Sequence, residues 1–122
     1  MSQRVVAFRG ATTVESDTAE DIFPRVQEML TEILERNGVA HDDIISAFFT
    51  ATPDLVSVFP ATASRAIGFG DIPLICATEI NVSGATPKCV RVMLQAYSAR
   101  PRNEIRHVYL HGAQGLRDDL PG

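Results

Sequence analysis

Four short runs of strand length alternate with three segments of helical character, and this alternation restricts the fold more than any other feature of the chain. The runs cover residues 4–9, 44–51, 72–77 and 105–110, and each is dominated by apolar residues. The predicted order is β-α-β-α-β-α-β. This order is typical of an α/β or α+β fold in which helices pack on a mixed or parallel sheet. The 122 residues contain no evident linker, repeat or low-complexity tract, so we expect a single domain over residues 1–122.

The first helical segment has signals at both ends. It follows Thr18, has Glu20 and Asp21 in its first turn, and stops at Gly38, which suits the left-handed position after a helix. Pro24 removes one backbone donor inside it, so we expect the helix to start late or to kink near its first turns. Its apolar residues recur at helical spacing and are Ile22, Val26, Met29, Leu30, Ile33 and Leu34.

Prolines also constrain the middle of the chain. Pro60 suits the first position of a short helix over 61–67, which Gly68 and Gly70 would terminate. Pro73 is compatible with the third strand only near its start or on a sheet edge.

The third helical segment is predicted from the Thr86-Pro87 pair, which is a typical helix opening. Arg91 lies off the centre of the apolar stripe behind it. That stripe consists of Cys89, Val90, Met93, Leu94 and Tyr97.

The charge and hydropathy of the chain exclude several classes of function. A net charge of −4 provides no basic surface for a nucleic-acid backbone, so no nucleic-acid partner is expected. No apolar stretch approaches the roughly 18 residues of a spanning helix, and no signal-peptide pattern follows Met1. These patterns predict a cytoplasmic protein without membrane association, whose two cysteines stay reduced.

Motifs for metal, nucleotide or covalent chemistry are not recognisable. The three histidines do not combine with Cys76 or Cys89 into a zinc pattern, so no metal site is predicted. The 68–70 segment lacks the third glycine of a dinucleotide loop, and no serine lies in a nucleophile elbow. Ten of the eleven basic residues are arginines, a bias that suits carboxylate recognition but that genome composition also produces. From the residues alone, the arginines and Glu79 indicate only a possible anion site.

Several short strings, taken in order, carry a family resemblance. They are RGATT at 9–13 followed by Glu15, ATPDL at 51–55, VFPA at 58–61, Glu79, KCVRVM at 88–93 and RHVYL at 106–110. Together they resemble the monofunctional chorismate mutases of the trimeric pseudo-α/β-barrel class, over nearly the whole chain. The resemblance implies a mixed sheet with helices packed on one face, a homotrimer with active sites between subunits, and no cofactor.

The implied activity is the rearrangement of chorismate to prephenate in phenylalanine and tyrosine biosynthesis. By the family pattern, the catalytic residues are Arg91, at the ether oxygen and a carboxylate, Arg9, at a carboxylate with Tyr109, and Glu79, which orients the ring hydroxyl with Cys76. The remaining substrate-binding residues would be Phe59, Ala61 and Arg65 from the next subunit, and Leu116 and Arg117 from a mobile tail.

The sequence departs from the family pattern at position 62, where Thr62 replaces a common lysine. The 65–76 segment is also one residue shorter than in relatives. Two alternatives remain open: a catalytically silent trimeric small-molecule binding protein of the same fold, and an imine deaminase on a similar trimeric fold.

Overall fold

The computed structural model describes residues 3–116, and within that range it contains five strands and two α-helices. Short 3₁₀ turns cover His41–Asp43, Phe69–Asp71, Arg102–Glu104 and His111–Ala113. The main elements are β1 (Arg4–Thr13), α1 (Ala19–Asn37), β2 (Ile44–Ala51), α2 (Pro60–Arg65), β3 (Leu74–Thr78), β4 (Cys89–Ser98) and β5 (Val108–Tyr109).

The strands form one mixed sheet in the order β3-β2-β4-β1-β5. The central strand β4 is antiparallel to both β1 and β2, whereas β3 is parallel to β2 and β5 is parallel to β1. The predicted mixed sheet is therefore confirmed. The edge position of β3, which begins just after Pro73, accommodates the missing backbone donor of that proline.

The predicted third helix is wrong, because the segment behind Thr86-Pro87 is the strand β4. Its apolar residues fit a helical period of 3.6, but Val90, Val92, Leu94 and Ala96 also fit the period of two of a half-buried strand. All four of these residues are buried against the helical layer. The observed order is consequently β-α-β-α-β-β-β, with one helix fewer than expected.

The helix α1 has the predicted cap at each end. The Thr18 side chain accepts a hydrogen bond from the backbone N–H of Asp21, and Gly38 adopts a left-handed φ of 62°. The helix begins at Ala19 and includes Pro24, so the expected late start is wrong. Near its C-terminus, Asn37 is buried and exchanges hydrogen bonds with the backbone of Arg106, which fixes the chain just before β5.

The core lies between one face of the sheet and the two helices. Phe8 of β1, Phe49 of β2 and Leu94 of β4 are fully buried there against the apolar side of α1. Gly10 permits the close approach of β1 to α1, because a Cβ at this position would lie 2.7 Å from the Cδ1 atom of Ile33. The predicted packing of helices on one face is confirmed.

Residues 3–116 leave most of the opposite face of the sheet uncovered. Five large apolar side chains on the strands remain 40–56% exposed, and they are Val5, Phe48, Ile75, Met93 and Tyr97. We refer to these five residues as the open apolar face. An uncovered apolar surface of this kind marks an interaction site more often than a solvated face.

The last predicted strand is much shorter than expected, because only Val108–Tyr109 of the 105–110 run pairs with β1. Within residues 3–116, no helix is long and apolar enough to span a membrane.

Candidate functional site

A row of side chains crosses four strands on the open side of the sheet. Arg91 in β4 pairs with Thr50 in β2 on one side and with Ala11 in β1 on the other, and Ala11 pairs in turn with Tyr109 in β5. Directly paired residues present their side chains on the same face of a sheet. The small Ala11 methyl therefore leaves space between the Arg91 and Tyr109 side chains.

This space belongs to a cavity of about 370 Å³, within the usual size range of small-molecule sites. Its lining includes Arg9, Ala11, Phe48, Thr50, Arg91 and Tyr109. Among residues 3–116, no aspartate or glutamate lines the cavity, whereas two arginines do. The cavity is consequently suited to a small anion with an apolar body.

Glu79 lies next to the cavity, at the end of the neighbouring strand β3. Its Oε2 atom is 3.7 Å from the Nε atom of Arg91, and its side chain is 26% exposed. The hydroxyl group of Thr50 donates a hydrogen bond to the same Oε2 atom. Arg91 and Glu79 therefore provide a donor group and an acceptor group side by side at one end of the cavity.

The hydroxyl group of Tyr109 is buried and has no hydrogen-bond partner within the part of the chain that the structure describes. Leaving such a group unpaired costs on the order of 1–3 kcal/mol, so native proteins seldom keep one without a reason. Tyr109 also lines the cavity. A ligand with an oxygen acceptor would satisfy this hydroxyl.

Arg9 is fixed through its own backbone. Its N–H donates a 2.9 Å hydrogen bond to Nδ1 of His107, which links β1 to the segment before β5. This bond complements the short β5 pairing, which covers only Gly10 and Ala11 of β1. The backbone of Arg9 is thus fixed by contacts on both sides of β1, with His107 on one side and β4 on the other.

A small apolar cluster adjoins the cavity, with which it shares Ala11. It contains the buried residues Ala11, Cys89 and Ala113, with Tyr109 and Leu116 packed against it. Burial raises the pKa of the Cys89 thiol, and the positive charge of Arg91 opposes this rise without reversing it. Cys89 is therefore a neutral packing residue at pH 7.

Not all of the predicted site residues meet at the cavity within one chain. The structure brings Arg9, Arg91 and Tyr109 together, with Glu79 beside them. Leu116 packs against the same Ala11 cluster as Tyr109, and Arg117 lies outside the described residues.

The placement of Cys76 differs from the expected one. Cys76 pairs with the buried Phe49 and packs against the core, because alternate residues of β3 point to opposite faces of the sheet. Its neighbours Ile75 and Ala77 face the open side instead. The Cys76 side chain therefore does not join Glu79 at the cavity.

The residues predicted to come from a neighbouring subunit lie apart from the cavity in their own chain. Phe59 is 72% exposed and lines a different cavity of about 550 Å³, and Arg65 is exposed at the end of α2. Ala61 is buried, so its methyl group packs within its own core. Thr62 is exposed on the first turn of α2.

Thr50 and Phe48 line the cavity although the sequence did not single them out, and His107, which the sequence analysis considered only as a metal ligand and as part of the RHVYL string, accepts a hydrogen bond from the Arg9 backbone. Thr50 and Phe48 belong to β2, whose residues 44–51 were interpreted only as an apolar strand. The only signal available in the sequence was that the polar Ser46 and Thr50, four residues apart, would lie on the same face of a strand. Among residues 3–116, no group of three or more potential metal ligands occurs.

Comparisons with known proteins agree with one another. The family model described as chorismate mutase type I matches residues 5–120. Chorismate mutase AroH from Bacillus subtilis is 43% identical over 114 residues, which is 93% of this chain and 90% of that protein. Chorismate mutase AroH from Thermus thermophilus is 43% identical over 117 residues, covering 95% of this chain and 96% of the relative.

A solved structure extends the agreement to the fold. The chorismate mutase from Clostridium thermocellum matches with a TM-score of 0.87 and 46% sequence identity, over 89% of this chain and 97% of that one. The family predicted from the sequence strings is thereby confirmed. The chain belongs to the type I chorismate mutase family.

Proposed function

We propose that this chain is a chorismate mutase, an isomerase that converts chorismate to prephenate in aromatic amino acid biosynthesis. The observation that carries the proposal is that Arg9 and Arg91 line one cavity, which no carboxylate of residues 3–116 lines, in a member of this family. Chorismate carries two carboxylates on a small ring system, which suits such a cavity. The alternative of a silent binding protein has no observation in its favour, because the catalytic set Arg9, Glu79 and Arg91 is present.

The reaction is a concerted rearrangement within one molecule. The ether bond between carbon and oxygen breaks while a new carbon–carbon bond forms, and no proton, electron or group leaves the substrate. The protein must hold the enolpyruvyl side chain over the ring and stabilise negative charge that develops on the ether oxygen. These tasks require positioned donors rather than a nucleophile.

We assign the stabilisation of the ether oxygen to the guanidinium of Arg91. A fixed donor at a developing negative charge lowers the barrier because it is already oriented when the charge appears. Arg9 and the unpaired hydroxyl of Tyr109 would bind one carboxylate, and Glu79 would accept a hydrogen bond from the ring hydroxyl. Cys76 would remain a substrate-binding residue, but apart from Glu79 of its own chain, because it lines the same cavity as Phe59.

The test of the function is the loss of the diene absorbance of chorismate after addition of the purified protein. Acid treatment of the product to give phenylpyruvate identifies prephenate. We expect rapid loss that is unaffected by a metal chelator and by extensive dialysis. A folded protein that leaves chorismate unchanged would contradict the proposal.

We further propose that three copies of the chain assemble, with each active site between two subunits. Two features support this: the open apolar face, which residues 3–116 of one chain leave exposed, and the exposure of Phe59 and Arg65 away from the cavity. In a trimer, the neighbouring chain would supply Phe59, the Ala61 backbone and Arg65, while Leu116 and Arg117 would close the site. Substrate and product would be the only other partners. The protein would act in the cytoplasm, and residues 1–122 would form one domain.

Sedimentation and subunit mixing test the assembly. We expect a sedimentation mass of three chains. Coexpression of Arg91→Ala and Arg65→Ala chains should recover activity, because some interfaces combine an intact Arg91 with an intact Arg65. The matched control combines Arg91→Ala with Glu79→Gln, which lie on the same side of each interface, and should show no recovery. A monomer, or equal results for the two mixtures, would contradict a shared site.

A further inference from the structure

Thr50 is a polar residue on the open side of the apolar strand β2, and its hydroxyl group is directed at a residue of the site. It donates a hydrogen bond to the Oε2 atom of Glu79, the same atom that lies nearest to Nε of Arg91. Thr50 is also paired directly with Arg91 across the sheet. The Thr50 side chain therefore lies between the strand that carries Arg91 and the strand that leads to Glu79.

We propose that Thr50 is a positioning residue for the reaction, which acts by holding the Glu79 carboxylate at a fixed place beside Arg91. The inference rests on the proposed function and extends it to a residue outside the set assigned to the substrate. It concerns the orientation of Glu79, and Thr50 itself makes no assigned contact with chorismate.

The backbone N–H and the side-chain carboxylate of Glu79 are each hydrogen-bonded to one of two consecutive residues of β2. The backbone N–H of Glu79 donates a 2.9 Å hydrogen bond to the carbonyl oxygen of Ala51, which continues the parallel pairing of β2 and β3 by one residue. The Thr50 hydroxyl then holds the carboxylate. Without the second contact, only the backbone of Glu79 would be fixed, and its three side-chain torsions would be free to rotate.

The charge of Arg91 makes this restraint useful. A free Glu79 carboxylate would be drawn into a close ion pair with the guanidinium, which would occupy donors that the substrate requires. The observed separation of 3.7 Å between Oε2 and Nε exceeds hydrogen-bond length. The Thr50 hydrogen bond thus keeps the Glu79 carboxylate available as an acceptor and the Arg91 donors available to an anion.

The test compares Thr50→Val with Thr50→Ser. Valine has the shape and strand preference of threonine but no hydroxyl group, whereas serine keeps the hydroxyl. We expect Thr50→Val to lower kcat/KM about fivefold to tenfold, the effect of one oriented hydrogen bond, and Thr50→Ser to stay within about twofold of the wild type. Ser98→Ala is the control for loss of a hydroxyl group elsewhere, because Ser98 accepts a hydrogen bond from Arg100 at the far end of β4.

A double-mutant comparison separates positioning from folding. If Thr50 acts through Glu79, adding Thr50→Val to a Glu79→Gln chain should change kcat/KM by less than about twofold. A purely structural effect of Thr50→Val would persist in that background. The inference is overturned if Thr50→Val matches the wild type, if Thr50→Ser is equally impaired, or if the loss is the same in both backgrounds. A wild-type protein without mutase activity would overturn the proposed function as well, so the two failures are distinguishable.

Discussion

The Nε atom of Arg91 lies 3.7 Å from the Oε2 atom of Glu79, near enough for electrostatic attraction but beyond hydrogen-bond length. The two groups therefore meet at the edge of the cavity without forming a hydrogen bond between these two atoms. In the proposed reaction, Arg91 donates to an oxygen that gains charge and Glu79 accepts from a hydroxyl group. The separation leaves both groups free for these different tasks.

Thr62→Lys should strengthen the binding of chorismate. Thr62 occupies an exposed position on α2, so the substitution adds a positive charge at the rim of the proposed intersubunit site. A single exposed charge near a dianion is expected to lower KM about threefold at low ionic strength, with little change in kcat. Steady-state kinetics at low and high salt would measure this, with Thr62→Gln as the uncharged control. An unchanged KM at low salt would contradict the prediction.

The turnover number should be nearly independent of pH around neutrality. The proposed mechanism transfers no proton, so no general acid or base limits the chemical step. We expect kcat at saturating chorismate to vary by less than about twofold across roughly pH 6.5–8.5. A bell-shaped profile of kcat centred near neutrality would indicate acid–base catalysis and contradict this mechanism.

His41 should make the stability of the fold depend on pH. Its pKa is raised above the ordinary value of 6.5 by hydrogen bonds to Asp42, Asp71 and the carbonyl of Gly68, and by the charge of Asp71. Because the folded pKa exceeds the unfolded one, the stabilisation is fully present below about pH 6.5 and is lost as the pH rises through the raised pKa.

The measurement for His41 is a comparison of Tm for the wild type and His41→Gln across this range. We expect the variant to melt slightly lower than the wild type at pH 5.5 and to melt at the same temperature well above the raised pKa. NMR titration of His41 should give the raised pKa directly. A difference in Tm that does not depend on pH would contradict the assigned cause.

The sequence predicted the first half of the fold well because its signals there agree, apart from Pro24 within α1. Thr18 and Gly38 delimit α1, and the apolar run 44–51 coincides with β2. Residues 89–98 satisfy both the helical and the strand period, so periodicity alone had no basis for choosing between them. Their strand pairing with both β1 and β2 is a long-range property, which the local pattern does not contain.

The site shows the same division between local and long-range information. Arg91 was assigned from the KCVRVM string although its segment was predicted to be helical, and the strand places it at the cavity. Cys76 was assigned with Glu79, but the alternation of β3 directs its side chain to the core. The contribution of Thr50 depends on the register between β2 and β3, which no single segment reveals. Contacts between separate copies of the chain are likewise invisible to patterns within one sequence.

The replacement of Arg91 by alanine tests the central claim most directly. Removing a fixed donor from the ether oxygen should lower the turnover of chorismate by about 10²–10³-fold or more, by analogy with the loss of one donor from an oxyanion site. The measurement is kcat of the purified variant, with circular dichroism and sedimentation confirming an intact fold and assembly. A near wild-type turnover in a folded, assembled variant would contradict the account.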